Sequence, residues 1–98
     1  MQPRLLFEDE ARADLADAFI WYEAQRSGLG SEFLAEVALV LASIERNPPA
    51  YQVIRGETRR ALVRRFPFAV FYVSDPEVVA VTAVMHGRRD PRRWQERR

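Results

Sequence analysis

Residues 68–86 read Phe-Ala-Val-Phe-Tyr-Val-Ser-Asp-Pro-Glu-Val-Val-Ala-Val-Thr-Ala-Val-Met-His, and this stretch decides the fold. Val, Phe, Tyr and Thr dominate it, the β-branched and aromatic residues that suit a pleated, half-buried surface. Asp75-Pro76-Glu77 divides it, with Asp at the first position of a turn and Pro at the second, where proline's fixed φ is already correct. Residues 68–73 and 78–85 are therefore expected to pair as a β-hairpin. Upstream, residues 60–66 read as a further strand that stops at Pro67, a bulge, bend or exposed edge, because proline donates nothing to a ladder. Whatever register the hairpin takes, it returns Gly87 and Arg88 to the neighbourhood of Arg64 and Arg65, beside His86.

Outward from the hairpin, the first half of the chain is helical. Ala11, Leu15, Ala18, Phe19 and Tyr22 recur at steps of three and four, with Asp14, Asp17 and Glu23 on other faces, which predicts a helix from about residue 9 to about residue 26. The acidic Glu8-Asp9-Glu10 suits its N-terminus. Ser27-Gly28-Leu29-Gly30 breaks the pattern, and Ser31 is the expected N-cap of a second helix. The apolar stripe of that helix, Phe33, Val37, Leu41 and Ile44, with Leu34 and Val40 beside it, ends at Asn47-Pro48-Pro49. Two amphipathic helices with a short break make an antiparallel hairpin, and its apolar stripes need a sheet to cover them. Trp21 and Tyr22 are expected in that packing, and Arg4-Leu5-Leu6-Phe7 reads as an edge strand. The fold class is α+β: an N-terminal antiparallel helical hairpin on a small twisted antiparallel sheet, in one domain spanning 1–98 with an arginine-rich tail from about residue 87.

All 15 basic residues are arginine, and they are segregated. Residues 1–50 carry four against nine acids, whereas residues 51–98 carry eleven against five, so a net charge of +1 conceals a strongly cationic second half. A GC-rich genome accounts for arginine in place of lysine but not for the segregation. Arginine's planar fork matches carboxylates and phosphates, so an anionic partner is expected. The chain has no cysteine and one histidine, which removes disulfides, thiolate chemistry and most metal sites, and neither a metal nor another cofactor is expected. No apolar run approaches the roughly 18 residues of a membrane span, and the N-terminus leads into acids and not into an apolar leader core, so a cytoplasmic location is expected.

Five segments in order resemble the RelE/ParE superfamily of toxins from bacterial type II toxin–antitoxin pairs: Trp21-Tyr22-Glu23; Gly28-Leu29-Gly30 with Phe33; Asn47-Pro48-Pro49 with Tyr51; Arg65-Phe66-Pro67-Phe68 with Val70 and Tyr72; and His86 with Arg88-Arg89-Asp90-Pro91 and Trp94. The resemblance runs over nearly the whole chain. It implies a helical hairpin on an antiparallel sheet, growth inhibition, a role of the plasmid-stabilisation kind, and a small antitoxin whose C-terminal segment wraps and neutralises the toxin. Many superfamily members that cut messenger RNA on the ribosome carry an arginine at the start of the strand that here begins Phe68-Ala69-Val70, and a tyrosine near the C-terminus. This chain has phenylalanine at the first place and no tyrosine after His86. Those departures favour the ParE-like branch, whose best-known members poison DNA gyrase.

No candidate residue is assigned a catalytic role. In the ribonuclease alternative, acting with the ribosome on messenger RNA, Glu57 is the base, Arg65 stabilises charge and His86 is the acid; in the blander reading Glu57 is a solvated partner of Arg55 or Arg59, and His86 organises a turn. His86, Arg88, Arg89, Arg92, Arg93 and Trp94 are the candidate target-binding set, guanidinium groups with one aromatic anchor. Arg60, Arg64 and Phe68 are the candidate antitoxin-binding set on an arginine-rimmed apolar sheet surface, although both arginines also suit pairing with Glu32, Glu36 or Glu45. A decayed toxin that only binds its antitoxin is the third reading.

Overall fold

The computed structural model describes residues 2–87. Its elements run β1 (Arg4–Phe7), α1 (Asp9–Gln25), α2 (Leu29–Arg46), a 3-10 turn (Pro48–Ala50), β2 (Gln52–Arg55), β3 (Thr58–Leu62), β4 (Phe68–Ser74) and β5 (Val78–His86). The strands form one sheet in the order β1-β5-β4-β3-β2, and the helical hairpin packs on one face of it. β2 to β5 pair antiparallel, as expected, but β1 lies parallel to β5, so the sheet is mixed. A parallel pair needs a long crossover. Here that crossover is everything between β1 and β5, which local strand character does not disclose.

The β4–β5 turn forms as its residues dictate, the Asp75 carboxylate accepting from the backbone N–H groups of Glu77 and Val78 at 2.8 Å each. Phe71 pairs with Ala83 but Tyr72 with Val81, which leaves Thr82 as an extra residue in β5. This bulge reverses the alternation, so Val79 and Val81 before it and Val84 after it all reach the helix-facing core. Thr82 itself is buried and donates from its hydroxyl to the Phe71 carbonyl at 3.3 Å. β3 is shorter than its sequence suggests: residues 63–67 bend away, with Arg65 at φ +70°.

Phe33 is fully buried at the centre of an aromatic cluster, its ring 5.2–5.3 Å from those of Tyr22, Phe66 and Phe68. Trp21, expected beside Tyr22, is instead 58% exposed. Neighbours in a helix stand about 100° apart, and Tyr22 takes the inward direction. The break between the helices is likewise built differently from the expectation. Ser31 caps nothing; α2 starts at Leu29, and the Glu23 carboxylate accepts from the backbone N–H of Gly28 at 2.8 Å and of Gly30 at 2.9 Å. One side chain from α1 thus satisfies two amides that a helix start leaves open. Gly28 turns the chain at φ +92°, and Gly30 lets the helices touch, since a Cβ there would lie 2.7 Å from the Phe19 ring and 2.8 Å from its carbonyl oxygen. Gly30→Ala is expected to destabilise the fold by about 1–3 kcal/mol, the usual range for overpacking, read as a lower thermal midpoint. An unchanged midpoint would mean that the contact relaxes freely.

Beyond α2, the Tyr72 hydroxyl donates to the Pro48 carbonyl at 2.6 Å, Tyr51 donates to Ser43 Oγ at 2.7 Å, and Arg59 donates to the carbonyls of Tyr51 at 2.6 Å and Pro49 at 3.1 Å. Burial pushes the Tyr72 phenol up to about 12, against an opposing pull from Arg59. A raised folded-state pKa contributes stability that is full below the unfolded tyrosine value of about 10 and is lost as pH rises toward the folded one. Unfolding monitored between about pH 10 and 12 should therefore show an alkaline loss that Tyr72→Phe reduces, although this variant starts about 1 kcal/mol less stable for want of its hydrogen bond. A loss of the same size in both proteins would assign it to other groups.

Candidate functional site

The chemistry-bearing residues converge where β3 ends, β4 begins and β5 ends. Phe68 pairs with His86, and the Gly87 N–H donates to the Pro67 carbonyl at 2.8 Å, so the hairpin returns Gly87 beside the bend that holds Arg65. The His86 ring lies 5.9 Å from that of Phe68. Arg65 is held by α2: its guanidinium is 2.8 Å from Glu32 and 3.8 Å from Glu36, and it lies 5.4 Å from the Phe66 ring centre. Arg26 joins Glu32 at 3.3 Å. Hydrogen bonds from Arg65 and then Arg26 hold the Glu32 carboxyl below its ordinary pKa, and Glu32 in turn raises that of Arg65.

The structure gathers only part of each candidate set. Glu57 is exposed in the β2–β3 turn, at the opposite end of β3 from Arg65 and His86, so the ribonuclease triplet is not assembled. Arg60, paired with Phe71, lies on the sheet face away from the helices, whereas Phe68 packs into the helix-facing core and Arg64 stands exposed in the bend. Those three residues share no face. The expectation that they would assumed that β3 runs unbroken to residue 66. Arg88, Arg89, Arg92, Arg93 and Trp94 lie outside the described residues.

A groove of about 400 Å³ adjoins this end, bounded by Asp14, Asp17, Trp21, Tyr22, Phe68 and His86. It exists because β1 stops at Phe7, opposite Val81, while β5 continues to His86. Among the described residues no strand flanks that extension on the side away from β4; α1 runs alongside it, and Asp14 Oδ2 accepts from the Val84 N–H at 2.9 Å. Glu10, Asp14, Asp17 and Trp21, spaced by four, three and four, form one helical stripe. Its periodicity is visible in the sequence, but the acids there count only as non-core positions until the fold places them beside β5. Among the described residues no cluster of side chains has the make-up of a metal site, and no helix is long and apolar enough to cross a membrane.

The family model described as the ParE toxin of the type II toxin–antitoxin system parDE matches residues 5–91, which is most of the chain. The chain belongs to the ParE toxin family. Two solved structures resemble this ParE-family chain in fold. The chromosomal ParDE toxin–antitoxin system from P. aeruginosa matches with a TM-score of 0.76 at 11% identity, over 87% of this chain and 96% of that one. The RelBE2 toxin–antitoxin complex from Mycobacterium tuberculosis matches with a TM-score of 0.62 at 22% identity, over 88% of this chain and 99% of that one. No curated protein matches it.

Proposed function

We propose that this ParE-family toxin arrests growth by binding and poisoning a topoisomerase such as DNA gyrase, in the cytoplasm, and that a cognate antitoxin encoded beside it neutralises it. The toxin assignment rests on the family match over residues 5–91. The choice of mechanism is carried by one observation: Glu57 is at the far end of β3 from Arg65 and His86, and the Arg65 guanidinium is engaged by Glu32 and Glu36. RNA cleavage requires a base, a charge stabiliser and an acid around one phosphate, within hydrogen-bond reach of the atoms they serve. Binding a protein requires no such convergence. Arginine forks with an aromatic anchor are well suited to it, and interface hot spots are rich in both residue types.

Inducing the gene without its neighbour, while following DNA damage and transcript integrity in parallel, tests the reading. Growth arrest with induction of the DNA-damage response and intact transcripts is expected. Translation-dependent transcript cleavage without DNA damage would transfer the assignment to a ribosome-dependent endoribonuclease. Absence of arrest together with retained antitoxin binding would identify a decayed toxin.

A further inference from the structure

The two edges of the sheet differ. β2 pairs with β3 through a register shift between Val53 and Arg55, an irregularity that blunts an edge against further pairing. β1 pairs with β5 without a shift, and among the described residues no strand covers its other side. The N–H groups of Arg4 and Glu8 donate to the carbonyls of Glu77 and Val81 at 2.8 and 3.0 Å, which turns the N–H and C=O groups of the alternate residues, Leu5 and Phe7, away from β5. Glu8 is itself extended, at φ −71° and ψ 155°, so the edge runs from Arg4 to Glu8. Leu5 and Phe7 pack against the helix-facing core, whereas Arg4, Leu6 and Glu8 are exposed, Leu6 at 44%. Neither Arg4 nor Glu8 has an ion-pair partner among the described residues.

We propose that the edge from Arg4 to Glu8 is a self-recognition surface, on which a second copy of this chain adds its own β1 antiparallel about a two-fold axis at Leu6. In that register Leu5 and Phe7 exchange backbone hydrogen bonds with the partner's Phe7 and the partner's Leu5, and Leu6 meets the partner's Leu6 as the closely spaced, non-hydrogen-bonded pair. Arg4 stands opposite the partner's Glu8, and Glu8 opposite the partner's Arg4, on the same face as Leu6. Sliding the partner strand by two residues sets a charge against a leucine, so one register satisfies every position. The complementarity is that of the strand with itself, as a two-fold interface requires, and it selects a second copy over an unrelated strand. A pair of short edge strands falls below the roughly 1,200 Å² at which stable interfaces begin, so the dimer is weak and reversible. The pairing does not depend on the proposed target.

The test is sedimentation of the full chain at concentrations from about 10 µM to about 1 mM, the range in which a weak dimer forms. The average mass is expected to rise with concentration from the 11.4 kDa of one chain toward twice that value. Arg4→Glu and, separately, Glu8→Arg should each weaken association by at least about tenfold, because both ion pairs become like-charge pairs. Mixing these two variants restores opposite charges at both places, and so does the double variant, so each should recover association to within about threefold of the unaltered chain. The mixture carries the same substitutions as the single variants, so a loss that mixing reverses does not come from misfolding. A monomer across the whole range overturns the proposal and leaves the edge to a different strand, such as an antitoxin's. Association untouched by either single variant also overturns it, because the contact would then lie on another face. So does a loss that neither the mixture nor the double variant reverses.

Discussion

Deleting residues 90–98 is expected to abolish growth arrest while leaving antitoxin binding within about tenfold of the full chain, a change of about 1.4 kcal/mol or less. Among the described residues β5 ends at His86, and the Gly87 N–H donates to the Pro67 carbonyl, so the cut leaves every described hydrogen bond of the sheet in place. The removed residues include Arg92, Arg93 and Trp94, half of the proposed target-binding set. The apolar core around Phe33 is built from residues that precede the cut. Paired growth assays and titration calorimetry decide the matter. Retained arrest would move the active surface back to the His86 end of the sheet, and loss of antitoxin binding would mean that the segment is part of that interface.

Phe33→Ala is expected to cost about 3–5 kcal/mol, the usual range for emptying a phenylalanine site in a core. Phe33 is fully buried and its ring contacts Tyr22 from α1, Phe66 from the bend and Phe68 from β4, so its loss opens a cavity where three elements meet. Domains of this size are stable by only about 5–15 kcal/mol, so the variant should show a large fall in denaturation midpoint, and with it loss of both arrest and antitoxin binding. A shift below about 1 kcal/mol would mean that the surrounding rings collapse into the space.

Much of this molecule is written locally. The span of α1 and the end of α2 follow from periodicity and from Asn47-Pro48-Pro49, and the β4–β5 hairpin from β-branched runs around Asp75-Pro76, because helices and tight turns depend on residues a few positions apart, whereas α2 begins at Leu29 and not after the expected Ser31 cap. β2 was invisible: four residues, Gln52–Arg55, with charge and polarity at the ends and no alternation, form a strand only because β3 offers a partner. The candidate site was legible in part. The return of Gly87 to the Arg65 bend followed from hairpin closure alone, but the separation of Glu57 from Arg65 and His86 did not, because it depends on which end of β3 each loop occupies.

By itself, then, the sequence determined two helices, the second of them amphipathic, an antiparallel hairpin of strands, a segregated arginine-rich half and a family resemblance that the family match bears out. Only the tertiary structure decided that β1 lies parallel to β5, that Thr82 bulges so that Val84 faces the core, that Glu23 closes the start of α2, and that Asp14, Asp17 and Trp21 line a groove at the end of β5. Each of these joins residues that lie from one helical turn to most of the chain apart. Such partners are selected by burying apolar surface and satisfying backbone hydrogen bonds across the whole chain, terms that no local window of sequence contains.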